Sequence, residues 1–121
     1  ELAREHLKDL LSASQASVAI HEVEQAVCDA FGIESDVLKS SNKSRQFSQP
    51  RMLAMYLARR HTRAALSEIG DYFGGRSHST VVAAKKTVDR WVELDKQIGT
   101  THRPLMVQDA IRQIERHLRA V

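Results

Sequence analysis

Apolar residues recur at steps of three and four along nearly the whole chain, which predicts helices from end to end. In residues 1–11, Leu2, Leu7, Leu10 and Leu11 share one stripe with charges opposite. Residues 12–17, SASQAS, form a small-residue break and read as a hinge. A second amphipathic helix places Ile20, Val23, Val27, Ala30 and Phe31 on one face, and Gly32 ends it. Residues 35–38 predict one short helical turn. Residues 39–49, KSSNKSRQFSQ, carry almost no apolar side chain and read as an exposed loop. Pro50 then starts a helix near its first position, with Leu53, Tyr56 and Leu57 as its buried stripe and residues 61–63 as its close.

A short apolar helix over residues 66–73 runs into Gly74 and Gly75. Ser77 is a good N-cap for the long helix that follows. Its stripe of Val81, Ala84, Val88 and Trp91 is expected to continue through Leu94 to Ile98. Residues 99–104 are a break, and residues 105–121 a final helix with Val107, Ile111, Ile114, Leu118 and Val121 in register. The fold class is therefore all-α, one compact multi-helix domain containing a helix-turn-helix. The expected core is Val27, Phe31, Leu53, Leu57, Ile69, Phe73, Val81, Val88 and Trp91. The final helix reads as an intramolecular packing element, with a dimer zipper as the alternative, and an isolated monomer is expected.

Composition narrows this picture without changing it. The chain has 121 residues, 42% of them hydrophobic but only 5% aromatic, so a modest and mainly aliphatic core is expected. The single cysteine, Cys28, precludes an internal disulfide and predicts a reducing, cytoplasmic setting. No run of about 18 apolar residues suggests a membrane span. The chain opens on Glu1 within a helical pattern, which predicts a piece of a longer protein.

Charge does change the picture. Net charge is only +3, yet residues 37–67 contain no acid and carry Lys39, Lys43, Arg45, Arg51, Arg59, Arg60 and Arg63. A basic segment beside a helix-turn-helix is the electrostatic footprint expected for phosphates. The first turn of the long helix offers Ser77, His78, Ser79 and Thr80: short donors and acceptors suited to base edges in a major groove. The basic loop could reach the neighbouring minor groove with Lys43 or Arg45. Arg51, Arg59 and Arg60 would hold phosphates and fix register.

Competing chemistries are weaker. His78 has no second histidine or carboxylate at metal or catalytic spacing, and G-x-S-x-G is absent. The glycine pair lacks the rest of a phosphate loop and a preceding strand. Cys28 and Trp91 lie in apolar helix stripes and read as core.

Residues 50–58 (PRMLAMYLA), 68–73 (EIGDYF) and 74–81 (GGRSHSTV) together resemble the C-terminal DNA-binding domain, domain IV, of the bacterial replication initiators of the DnaA family. The resemblance runs from about residue 18 to 94. Residues 1–11 resemble the connector that joins this domain to an upstream ATPase module, and with the hinge this gives a division into residues 1–17, 18–98 and 99–121. The resemblance implies double-stranded DNA as partner: an asymmetric element of about nine base pairs, read by a monomer. It implies no catalysis and no cofactor in this chain, with ATP confined to the absent module. It leaves room for contacts with other initiator-associated proteins, and it places the chain at the nucleoid.

By motif, Lys43 takes the minor-groove loop position, usually Arg, and Arg51 that of a second groove-contacting arginine. Ser77, His78, Ser79 and Thr80 take the base-reading turn, where the family pattern is Asp-His-Thr-Thr. Lys39, Arg45, Arg59, Arg60, Arg63, Leu66, Ser67, Arg76 and Lys85 take phosphate-contacting or positioning roles. Met52, Ser67 and Ala65 stand where the family has Gln, Pro and Ser. Serine at 77 in place of an acid is expected to relax selection at one cytosine. Two further readings are an initiator-like domain in another regulator or transposase-associated protein, and a helical protein-interaction or lid module.

Overall fold

The computed structural model describes residues 18–119. The connector and hinge expected over residues 1–17, and Val121 of the last stripe, lie outside the described residues. The order of elements is α1 (Ile20–Phe31), α2 (Ser35–Leu38), α3 (Arg45–His61), α4 (Leu66–Tyr72), α5 (His78–Leu94), β1 (Gln97–Gly99), β2 (Pro104–Met106) and α6 (Val107–Arg119). Helix dominates, as the periodicity predicts.

Local chemistry sets the boundaries. The Glu22 carboxylate accepts from the Ala19 N–H at 2.9 Å, and Glu68 does the same for Ala65 at 3.2 Å. Each is half of a capping box, and each satisfies a donor that its helix start would otherwise leave open. Gly32 ends α1 in the left-handed region at φ 65°. Ser77 caps α5 by accepting from the Thr80 N–H.

Central helix α3 packs against α1, α4 and α5, while α6 packs across α1. All nine expected core residues are buried, together with Leu38, Met55, Ile98, Val107, Ile111 and Ile114. Trp91 and Cys28 are buried as well. Burial, with Glu24 and Asp29 nearby, pushes the Cys28 thiol up to about 11, so near neutral pH it is an apolar filler. The last helix docks intramolecularly on the face expected of it: Val107, Ile111, Ile114 and Leu118 are buried.

Three expectations need correction. Helix α3 begins at Arg45, and Pro50 lies inside it, buried. Residues 45–49 are polar, so hydropathy gives no helical signal there. As the sixth residue of α3, Pro50 removes one helical hydrogen bond, to the Gln46 carbonyl, and its ring crowds that carbonyl. Helix α5 stops at Leu94, closed by Asp95 at φ 48°, and Leu94 itself is 70% exposed. Ile98 is buried from a strand instead. Lastly, the break over residues 99–104 is the turn of a small antiparallel hairpin that pairs Gln97 with Met106 and Gly99 with Pro104. The final helix therefore starts at Val107, two residues later than expected.

Candidate nucleic-acid interface

The turn between α4 and α5 is built by backbone contacts. The Arg76 N–H donates to the Gly70 carbonyl at 2.8 Å. A Cβ on Gly70 would lie 2.0 Å from the Arg76 carbonyl oxygen, so the approach of the two segments requires glycine there. Gly74, at φ 101°, faces the Lys39 carbonyl just as closely, where a Cβ would lie 2.4 Å away. The sequence marks Gly74 through its place after a helix. Nothing in its pattern marks Gly70, which sits among apolar helical residues.

This turn leaves the first residues of α5 free. Ser77, His78, Ser79 and Thr80 are all exposed. They stand at the open N-terminus of a helix of 17 residues, whose dipole end is positive. The Ser77 and Thr80 hydroxyls meet at 3.2 Å. His78 and Ser79 have no side-chain hydrogen bond among the described residues.

The expected cations divide into two groups. Exposed Arg59, Arg60 and Lys85 converge with Tyr56 on one cavity of about 270 Å³ between the end of α3 and the middle of α5. Arg60 is partly engaged there, donating to the Tyr56 hydroxyl at 3.4 Å and lying 3.6 Å from Glu115. Lys85 pairs with Asp89 on the helix surface. Lys43 and Arg45 are exposed at the junction of the loop with α3. Arg63 is exposed but lines a different groove, with Ala19, Ile20, Thr62 and Glu68, and does not join the others. Leu66 is half-buried and Ser67 exposed at the start of α4.

Arg51 is buried, Lys39 and Arg76 are half-buried, and all three side chains are engaged within the chain. Arg51 is only 4% exposed. Its Nε donates to the Leu38 carbonyl at 2.6 Å and its Nη2 to the Asn42 carbonyl at 3.1 Å. Burial, and then the neighbouring Arg76 guanidinium, pushes Arg51 down to about 10, so it remains charged near neutral pH. Arg76 donates to the Ser40 carbonyl at 2.9 Å and to the Phe73 carbonyl. Together these two side chains hold residues 38–42 against the helix-turn-helix. They hold the backbone of the loop in which Lys43 stands.

Lys39 is tied down by Glu24, a buried carboxylate that no motif or spacing marks. Glu24 accepts from the Tyr72 hydroxyl at 2.7 Å and the Ser35 hydroxyl at 2.5 Å, and pairs with Lys39 at 3.1 Å. The Lys39 ammonium also sits 4.2 Å from the centre of the Tyr72 ring. Burial alone would raise the Glu24 pKa, but these three partners outweigh it and hold it below the usual range.

The segment from residue 20 to 88 matches the family described as the bacterial dnaA protein helix-turn-helix. The chain belongs to the DnaA helix-turn-helix family. Among similar proteins, the chromosomal replication initiator protein DnaA of Thermodesulfovibrio yellowstonii is 37% identical over 82% of this chain and 23% of its own length. That of Wolbachia pipientis wMel is 38% identical over 82% and 22%, and that of Flavobacterium psychrophilum 39% over 80% and 20%. The chain thus spans about a fifth of the length of these DnaA relatives. The DnaA match takes in α1 to most of α5, including every residue of the exposed turn. The hairpin and α6 lie beyond the family's 20–88 segment, while the matches to these relatives, over about 80% of the chain, reach into β1.

Proposed function

We propose that this chain reads double-stranded DNA, with the start of α5 in a major groove and the 39–44 loop at the adjacent minor groove. The observation that carries this reading is the set of four exposed side chains, Ser77 to Thr80, at the open end of α5, flanked by two groups of cations. Lys43 and Arg45 lie on the loop side, and Arg59, Arg60 and Lys85 line the cavity on the other. Hydroxyls and an imidazole can read donors and acceptors on base edges; guanidinium and ammonium groups hold phosphates without reading sequence. The relatives are named chromosomal replication initiator proteins, which supports a role in chromosomal replication initiation; we infer that the chain binds initiator boxes at an origin, in the cytoplasm, with any ATPase chemistry supplied by a separate module.

The stringency of that reading turns on position 77. The Ser77 hydroxyl caps α5 and meets Thr80, and it lacks the negative charge that would repel guanine and thymine acceptors. Selection at one cytosine is weaker than a carboxylate would give.

A salt titration tests the main reading. With about five or six cations on phosphates, log K falls against log salt with a slope of about −5. Arg59→Ala weakens binding to every duplex alike. A flat titration would overturn the reading and favour a protein-interaction module.

A further inference from the structure

A second polar groove lies away from the α5 turn, between the first residues of α3 and the hairpin. It is shallow, about 320 Å³, and its polar lining residues are Arg45, Gln49, Lys96, Gln97, Thr100 and Thr101, with Ile98, Gly99 and Pro104 completing it. Among the described residues no carboxylate lines it. Two cations, two amides and two hydroxyls form a donor set that suits phosphodiester oxygens. Thr100 Oγ1 accepts from the Arg103 N–H at 3.0 Å, which leaves its own proton free to donate.

The groove is held in shape from several sides. The Val107 N–H donates to the Lys96 carbonyl at 2.8 Å, closing the base of the hairpin. The Arg103 Nη1 donates to the Asp29 carbonyl at 2.7 Å and ties the turn to the end of α1. Gly99, at φ 113°, lets the strand lie against Phe31; a Cβ there would be 3.0 Å from the ring. The hairpin therefore presents Lys96, Thr100 and Thr101 from a fixed frame.

We propose that this groove carries the DNA backbone beyond the recognised element, on the side where the loop enters the minor groove. The proposal rests on the DNA reading above and extends it past the family-matched segment. Its warrant is continuity and charge. Arg45 belongs to both sites: it is the first residue of α3, two positions after Lys43, and it lines the groove. A strand leaving Lys43 past Arg45 meets Lys96 and the two threonines next. The open shape of the groove fits a strand passing over it, and its uniform charge sign fits a polyanion.

The test compares two duplexes bearing the element that the 121-residue chain selects from a randomised pool. One ends at the element and the other carries six extra base pairs on each side. The chain is expected to bind the longer duplex more tightly and with a steeper salt slope. Lys96→Ala should reduce that slope by about 0.9 on the longer duplex and leave the short one unchanged. Thr100→Ala with Thr101→Ala should likewise lower affinity on the longer duplex only. Thermal melts of these surface variants check that the fold is intact. Equal affinity of the chain for both lengths would overturn the groove while leaving the base-reading site standing, as would equal losses by Lys96→Ala on both. Failure to bind any duplex would overturn the DNA reading itself, and the groove with it.

Discussion

The exposed turn of α5 and the basic loop before α3 meet the same turn of chain at Arg76, yet they are held in opposite ways. The turn is placed by its own helix: Ser77 caps it, and Val81, Ala84 and Val88 anchor the helix in the core. Its polar side chains have only to stand clear. The loop has no such frame. Short turns bond it internally, through Ser40 and Asn42, and its backbone carbonyls are gripped from beneath by Arg51 and Arg76. Positive charge in this domain thus has two uses. Some cations face outward, free for phosphates, and others are spent inside as multi-pronged donors. A guanidinium suits the inner task because it carries several N–H groups in a fixed plane.

The sharpest way to break this contrast is Arg51→Ala. It leaves the buried Leu38 carbonyl and the part-buried Asn42 carbonyl without this partner and should destabilise the fold by roughly 3 kcal/mol, at about 1.5 kcal/mol for each charged hydrogen bond. Arg51→Lys cannot span both carbonyls, so it should recover only part of that loss in urea denaturation. If Arg51→Ala left stability unchanged and lowered only DNA affinity, Arg51 would be a contact residue after all. Gly70→Ala attacks the other region. Its Cβ must push against the Arg76 carbonyl, so a cost of about 1–3 kcal/mol is expected, together with a changed near-ultraviolet spectrum from Tyr72. A neutral Gly70→Ala would show that the turn can relax.

His78→Ala should spare stability and lose about 1–3 kcal/mol of binding on the selected duplex, with far less on random DNA. Equal losses on both would make the α5 turn a backbone holder like the cations around it. The smallest effect concerns pH. Because Glu24 has a lowered pKa, its stabilisation is fully present above its ordinary value near 4.5 and is lost as the pH falls through the lower, folded value. Glu24→Gln should remove part of this acid sensitivity and cost about 1 kcal/mol at pH 7. Identical acid-unfolding midpoints for the two proteins would dismiss the carboxylate network as a stabiliser.

Core and helix order were readable because burial repeats with the helical period: Val23, Val27, Phe31 and Val81, Ala84, Val88, Trp91 could be placed by spacing alone. The exposed turn was readable because glycines and a capping serine punctuate it. Features that depend on tertiary geometry were hidden. Arg51 and Arg59 are the same residue type in one basic stretch, and only the fold decides that one is buried beneath a loop and the other exposed. Gly70 looks like a weak helical residue until the Arg76 carbonyl is seen against it. The start of α3 was hidden by its polar first turn, and the hairpin by strands of three residues, too short to display an alternation.

Helix α4 has seven residues, too few to persist unaided in water. Its hold on the rest of the molecule runs through Ile69 in the core, through Tyr72 to Glu24 on α1, and through its Gly70 contact with the turn. The reading head is therefore not a detachable cassette. Residues 66–94 transplanted onto a foreign scaffold would leave behind Glu24, Lys39 and Arg51, and with them the alignment of α5. A minimal graft must include α1 and the loop, and on the proposed reading changes in α1 would retune DNA preference.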